Sequence, residues 1–574
     1  MNMPGIYGYI KKDKEDNQLE NMTKILNHQQ HFIKEDDFVD ENFSSSHIHL
    51  GNFKTTKDMF FKDGIYISIE GEQYDYENTS FVELVFESYI ENCLDTFLNK
   101  LDGYFNAVIY DSNLKKLFLI SDRYGMRMLY FYYKDGNFAF SSEVKGLLAL
   151  DFVEKEIDPN QIDVFMDLGY LLEDNTWHKH IKLIKPATIL EFDIDTKELN
   201  HRYYWKWSEI KPSNLSFDEA VDKLGELWLK AVEKRFNPNE KIGISLSGGL
   251  DSRAIFAAVN TLYPDSEGTA YTFGIPNCDD IKIAKQCVSQ TKWKHKEFYF
   301  TNDNWFEPRK DRVWFTDGMM NIKHMHGSEF LNDISKSIKI NLNGYAGDAI
   351  LGGGWLRRIP LDTLPTNESM KSFYGKHVSN CNFNDFLYEI NKIEPHLFMN
   401  RVRRFTNMGT VNGLTNVEQR KPFFDNKIVE LVYSIPDFYR QDNKLYSSML
   451  LKFFPKFYKN IPWQNTGKTI DNKDSTNKIL KIFKKIKRIP FKLGLVQDSG
   501  YTNYIKWIEE KYINAELHKL LNSKNALYSK YTDIDFKTKY LDKKFKGLKN
   551  YDEKILRAAT IEIYLQKLND LEKK

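Results

Sequence analysis

Lys241-Ile242-Gly243-Ile244-Ser245-Leu246-Ser247-Gly248-Gly249-Leu250-Asp251-Ser252-Arg253-Ala254-Ile255-Phe256-Ala257-Ala258-Val259 passes from an apolar run, through two glycines, into a helical pattern. Strand, Gly-rich turn and helix in that order bring backbone N–H groups and the positive end of a helix to one point. That is how a chain holds a phosphate. Asp251 is placed to keep a cation against that phosphate. The order is not the P-loop Gly-x-x-x-x-Gly-Lys-Ser/Thr. Ser247, Gly248, Gly249, Asp251 and Ser252 are therefore candidate nucleotide-binding residues, with an ordinary tight turn as the bland alternative.

Working outward, Ala270 to Gly274 reads as a second short strand, Ile281 to Thr291 as a helix, and Phe298-Tyr299-Phe300 as a third strand. Ile338 to Asn343 is a further strand that runs into Gly344-Tyr345-Ala346-Gly347-Asp348. Alternating strands and helices predict an α/β, doubly wound parallel sheet with a nucleotide at the carboxyl ends of its strands. Phe273 and Gly344, at two such ends, are expected beside it.

The first two hundred residues have a different rhythm. Gly64–Glu70, Phe105–Tyr110, Leu117–Ser121, Leu129–Tyr133 and Phe138–Ser142 are β-rich runs, with turns at Asp111-Ser112-Asn113 and Asp135-Gly136-Asn137. A helical stretch, Phe81 to Lys100, divides early strands from late ones. This predicts an α+β layered unit with antiparallel sheets. Pro212-Ser213-Asn214-Leu215-Ser216 marks the expected boundary, giving units 1–211 and 212–574, and Ser216 is fit to cap the next helix.

Bulk properties narrow the function classes. At 574 residues the chain exceeds one core. Eighty-one Lys plus Arg against 80 Asp plus Glu leave no field suited to nucleic acid. Cys93, Cys278, Cys287 and Cys381 form no Cys-x-x-Cys pair, which speaks against a zinc site and a disulfide framework. No apolar run approaches the ~18 residues of a membrane span. Lys11, Lys12 and Asp13 interrupt any signal-peptide core, so a cytoplasmic protein is expected.

The motifs taken together resemble the asparagine synthetases. Ser247–Ser252 is similar to the pyrophosphate-binding Ser-Gly-Gly-x-Asp-Ser loop of enzymes that split ATP into AMP and pyrophosphate. Leu101-Asp102-Gly103-Tyr104-Phe105, Asp122-Arg123-Tyr124-Gly125 with Leu129-Tyr130, and Phe140-Ser141-Ser142-Glu143-Val144-Lys145 recur in the same order in that family. So does Val417-Glu418-Gln419-Arg420-Lys421-Pro422-Phe423-Phe424-Asp425. The resemblance implies an N-terminal αββα glutaminase-like domain of the Ntn type and a C-terminal ATP-pyrophosphatase domain with a helical tail from about residue 475. It implies ATP and Mg²⁺, with Asp348 sharing the ion with Asp251.

Several family positions have changed. Met3-Pro4-Gly5-Ile6-Tyr7-Gly8 stands where the family opens Met-Cys-Gly-Ile-Phe-Gly, so Pro4 replaces the nucleophilic cysteine. Glu70-Gly71-Glu72-Gln73-Tyr74-Asp75 puts a carboxylate where an Asn donates to the oxyanion, and no arginine near His47-Ile48-His49-Leu50 answers the glutamine carboxylate. A dead glutaminase domain, kept as a packing partner or channel wall, is expected. His47 and His49 read as solvent-facing strand positions.

Tyr345 takes the place of the family's loop glutamate, as in β-lactam synthetases, where a tyrosine assists deprotonation of the attacking amine. Tyr345 as catalyst and Tyr345 as pocket wall both stand. Arg401, Arg403 and Arg404 read either as an anion pocket or as a solvated helix face. Asn465 falls on the family's charge-stabilising lysine, with Lys468 three positions on and expected to serve instead. The basic amphipathic stretch Lys478–Lys492 suits an acidic partner or an anionic surface, or packs as a helix, and Arg557–Leu565 is expected to dock on the core.

The expected function is ATP-dependent amide formation without glutamine: a small-molecule or peptide carboxylate is adenylated, then attacked by an amine or ammonia. The lasso-peptide cyclases share this resemblance. The alternative is a pseudoenzyme that binds nucleotide or a partner and makes no bond.

Overall fold

A computed structural model describes residues 4–13, 17–27, 29–52, 59–76, 79–356, 359–361, 363–390, 392–471, 501–544 and 551–573. The stretch 478–492 lies outside them. The first unit is a sandwich of two antiparallel sheets. One sheet orders Ile181–Leu183, Tyr130–Lys134, Asn137–Ser141, Gly5–Ile10, Phe43–His49 and Ile33–Lys34, with Phe38–Val39 also paired to Phe43–His49. The other orders Leu199–Tyr203, Thr188–Asp193, Lys116–Ser121, Gly103–Asp111, Ile65–Gln73 and Met59–Lys62. Alternate residues of both, among them Ile6, Phe43, Val108, Leu119 and Phe140, fill the space between. Helices Leu19–Leu26 and Val144–Leu147 cover one sheet; Phe81–Ile90 covers the other. The layers are αββα.

Two local expectations fail here. The helical stretch 81–100 is broken into Phe81–Ile90 and Leu94–Lys100. Asn92 between them has φ 54°, a left-handed conformation that Asn tolerates better than most residues. His47 does not face solvent: it is buried, because its strand is paired on both sides, and burial holds its ring neutral with a pKa near 3. His49 does reach a partner, Glu35, at 2.7 Å.

The second unit holds five parallel strands in the order Lys294–Tyr299, Thr269–Gly274, Ile242–Ser245, Ile340–Leu342 and Glu418–Arg420. The chain starts at the centre, builds to one edge, and returns to build the other. The switch point falls between Ile242–Ser245 and Ile340–Leu342, where doubly wound sheets bind ligands. Ser216 caps helix Phe217–Glu233: its hydroxyl accepts from Glu219 N, and its own N–H donates to Glu219 Oε2 at 2.8 Å. Glu418–Arg420 escaped the sequence reading, since all three residues are polar yet buried.

Their burial is explained by the seam between the units, which is charged. Arg127 pairs with Glu70 at 3.0 Å and with Glu418 at 2.8 Å. Arg420 pairs with Glu72 and Glu240, each at 2.6 Å. Arg235, fully buried, pairs with Asp102 at 2.7 Å and Asp425 at 3.0 Å. Arg403 donates to the carbonyls of Gly125 and Ile184, both at 2.6 Å, and Arg404 to that of Asn175. Arg401 lies over the Phe405 ring at 3.9 Å. Arg403 and Arg404 therefore form neither an anion pocket nor a solvated face; they bind backbone across the seam.

Helix Asp552–Glu572 closes the molecule and is buried nearly all round, so it has no single apolar stripe. Arg557 donates to the carbonyls of Met166 and Asp167, and Tyr564 Oη lies 2.9 Å from His178 Nε2. No helix among the described residues is long and apolar enough to cross a membrane.

Candidate functional site

The glycine loop leaves the central strand at Leu246 and enters helix Leu250–Leu262 at Gly249. Its N–H groups converge on oxygen. Ser247 N donates to Ser252 Oγ at 3.0 Å, Gly249 N to Ser247 Oγ at 3.2 Å, and Gly248 N to Asp280 Oδ1 at 2.7 Å. Gln464 Nε2 donates to the other Asp280 oxygen at 2.6 Å. A Cβ on Gly248 would come within 2.9 Å of Gln464 Cβ and Ile283 Cδ1, so the close approach needs glycine. Arg253, fully buried, fastens the loop from behind: its guanidinium donates to the carbonyls of Gly248 and Pro462, both at 2.9 Å.

Asp251 and Asp348 meet beside this loop. Asp251 Oδ2 accepts from Asp348 N at 2.9 Å, and Oδ1 accepts from Tyr446 Oη at 3.1 Å. They line a cavity of about 210 Å³ with Gly249, Asn443, Trp463 and Asn465. Burial, then the charge of Asp348, push the Asp251 carboxyl up to about 7. Two carboxylates gathered in one small cavity, one of them paying for its burial in raised pKa, form a donor set suited to a hard divalent cation such as Mg²⁺.

A second cavity, of about 590 Å³, opens on the other side of the loop. Ser247, Phe273, Gly344 and Tyr345 line it, with Asp280 and Gln464. Among the residues expected from sequence, these four thus stand on the larger cavity, and Gly249, Asp251 and Asp348 on the smaller. Gly248 and Ser252 shape the loop between them. Tyr345 is buried, stacks on Phe424, and donates its hydroxyl to Val402 O at 2.8 Å. Burial holds its pKa well above the usual phenol range, so the hydroxyl stays protonated at neutral pH.

Lys468 lines neither cavity. It closes a short turn in which it is bridged antiparallel to Trp463, with Gly467 at φ 69°. Directly bridged residues project to the same face, so the Lys468 stem starts beside Trp463, a wall of the aspartate cavity. Asp280, Gln464 and Tyr446 were not expected. Only a hint existed for the first: Asp279-Asp280 opens a helix on the strand's carboxyl side.

The N-terminal site is filled. Glu70, buried, accepts from Ser142 Oγ at 2.9 Å besides pairing with Arg127. A Cβ on Gly5 would lie 2.2 Å from Ser142 Oγ. The space around Gly5, Ile6 and Ser142 has no room for a water molecule.

The comparisons with known proteins fit this geometry. The sequence model for asparagine synthase matches residues 223–457, and that for a glutamine amidotransferase domain matches residues 58–205. The chain carries an asparagine synthase domain and a glutamine amidotransferase domain, the pair found in the asparagine synthetases it resembles. A Bacillus subtilis protein named asparagine synthetase (glutamine-hydrolyzing) 3 is 27% identical over 413 residues, 63% of this chain and 66% of that protein. A putative asparagine synthetase (glutamine-hydrolyzing) 2 of Methanocaldococcus jannaschii is 24% identical, over 50% of this chain and 59% of that one. The chain thus spans just under two thirds, or less, of the length of these relatives. A solved glutamine phosphoribosylpyrophosphate amidotransferase of B. subtilis covers 45% of this chain and 63% of its own at 10% identity, with a TM-score of 0.24.

Proposed function

We propose that this asparagine synthetase relative is an ATP-dependent amide-forming ligase that does not use glutamine. The reading is carried by Asp251 and Asp348 meeting in one cavity beside a glycine loop at the switch point of a parallel sheet. In the step proposed, a substrate carboxylate oxygen attacks the α-phosphorus of ATP. The bond to the β-phosphate breaks and pyrophosphate leaves, giving an acyl-adenylate. An amine nitrogen then attacks the acyl carbon, loses a proton, and AMP departs with the bonding pair.

Bound Mg²⁺ would neutralise pyrophosphate charge; Asp251 and Asp348 are the residues fit to hold it. Ser247 to Ser252 orient the phosphates, and Phe273 and Gly344 border the nucleotide. Tyr345 is a wall that fixes the shape of the larger cavity through Val402. The substrates are a carboxylate and an amine, small or peptidic.

Glutamine independence rests on Pro4, which offers no nucleophile, and on Glu70, whose carboxylate fills the place of an oxyanion donor. Full-length protein with ATP, Mg²⁺ and a panel of acids and amines is expected to release pyrophosphate and AMP together for at least one pair. Glutamine alone is expected to yield no glutamate above a buffer blank. Glutamate release would reject the second claim, and ADP in place of AMP the first. Asn465 in the aspartate cavity favours one other reading, a nucleotide-binding pseudoenzyme. ATP binding without AMP across the whole panel would select it.

A further inference from the structure

Glu173, Cys381 and His396 meet at the seam between the two units, away from both cavities of the proposed ligase site. One carboxylate oxygen, the thiol sulfur and one ring nitrogen all lie within 4.8 Å of one another. His396 is fully buried, Glu173 nearly so, and Cys381 half-buried. An apolar cluster that includes Tyr170, Leu172, Met370 and Leu397 surrounds them, with Cys381 packed against it.

The contact between histidine and carboxylate has an informative geometry. His396 Nε2 lies 3.1 Å from Glu173 Oε1, an ion-pair contact with poor hydrogen-bond geometry. Neighbouring ligands of one tetrahedral ion stand in this relation. With metal–ligand bonds of about 2.0–2.1 Å, two ligands are about 3.3 Å apart and each lone pair is aimed at the ion.

Outer partners are in place as well. Asn400 Nδ2 donates to Glu173 Oε1 at 3.2 Å, and Asn400 Nδ2 and the Tyr374 hydroxyl both lie 3.3 Å from His396 Nδ1, the hydroxyl being the one able to accept an Nδ1 proton when Nε2 is a ligand. Glu173 itself is held at φ 54°, its N–H donating to Asn400 Oδ1 at 2.5 Å. Asn400 belongs to a π-helical segment, Phe398–Thr406. A strained residue fastened by a π-helix is a common mark of a built site.

We propose that Glu173, Cys381 and His396 bind one Zn²⁺ ion, with a fourth position left to water. One sulfur, one nitrogen and one oxygen donor suit zinc and disfavour Mg²⁺ and Ca²⁺, which take oxygen alone. The site ties the sandwich, through Glu173, to the segment that leads into Phe398–Thr406. Val402 in that segment accepts the Tyr345 hydroxyl, so the segment connects the site to the wall of the larger cavity. Chain spacing misses the site because its members are 173, 381 and 396, with no local Cys or His pair.

Full-length protein purified without chelator is expected to carry about one zinc per chain by elemental mass spectrometry. Cys381→Ser and His396→Ala are expected to lose it, and Asp348→Asn to keep it. Metal-free wild type titrated with Co²⁺ is expected to show a thiolate-to-cobalt charge-transfer band in the near ultraviolet. That band should be absent from Cys381→Ser. This measurement on wild type stands even where a variant fails to fold. No zinc in the wild type together with no cobalt band would overturn the proposal. So would zinc retained by both the Cys381 and His396 variants.

Discussion

On the proposed ligase reading, the chemistry turns on Asp251. Its carboxyl is raised from 3.8 to about 7, first by burial and then by Asp348. A folded pKa above the unfolded one means that the native state holds the proton more tightly. The stabilising effect is complete below pH ~4 and is lost as pH rises through about 7. Metal-free Asp251→Asn should therefore melt higher than wild type at pH 8, by on the order of 1 kcal/mol once solvent screening is allowed for, and no higher at pH 4. The same substitution, like Asp348→Asn, should abolish Mg²⁺-dependent AMP formation. Mg²⁺ competes with the proton, so the Mg²⁺ concentration for half-maximal activity should fall as pH rises from 6 to 8. Thermal melts and AMP release at the two pH values check both. Activity retained in either Asn variant would remove that carboxylate from the metal site.

At the scale of elements, the turn Trp463–Lys468 carries the open question of charge. Asn465 lines the aspartate cavity and is neutral. Lys468 begins on the face of Trp463 and has a four-carbon stem with which to reach in. Removing one preorganised charge from such a site costs about 10²–10³ in rate. Lys468→Ala should lower turnover by about that factor with little change in ATP affinity, since loop and Mg²⁺ dominate binding. Wild-type turnover in Lys468→Ala would take Lys468 out of the mechanism.

The same scale shows what was legible in the chain. Three of the five parallel strands could be read as apolar runs, and Gly248 and Asp251 announced the loop; of Lys294–Tyr299 only the end, Phe298-Tyr299, could be read, because Lys294 to Glu297 are polar. Glu418–Arg420 could not be read as a strand, because three charged or amide side chains in a row have no apolar signal. They are buried only because Arg127, Glu72 and Glu240 come from elsewhere to meet two of them. Asp280, Gln464 and Tyr446 were hidden for a related reason: their partners lie 32, 184 and 195 residues away. Local patterns reveal which residues build an element, not which distant side chain will complete its donors.

For the whole molecule, the charged seam bears on whether a unit can exist alone. A cut at residue 212 would strip Arg235 of Asp102, Arg420 of Glu72, Glu418 of Arg127, and Arg403 of the Gly125 and Ile184 carbonyls. Helix Asp552–Glu572 would lose the Met166 and Asp167 carbonyls and His178. Leaving one buried charge without its partner costs about 3–5 kcal/mol. Glu418 loses its ion partner outright, whereas Arg235 keeps Asp425 and Arg420 keeps Glu240, so the loss takes a large part of the ~5–15 kcal/mol that holds a typical domain folded. The sandwich thus supports the parallel-sheet unit through the seam, whatever chemistry it carries. The full chain should unfold in one calorimetric transition, and fragment 212–574 should be insoluble or molten when expressed by itself. Two well-separated transitions, or a soluble fragment with sharp melting, would show that the seam contributes little. Arg235→Met adds a graded check: removing the cation leaves Asp102 and Asp425 buried side by side, so it should lower the single transition and leave its cooperativity intact.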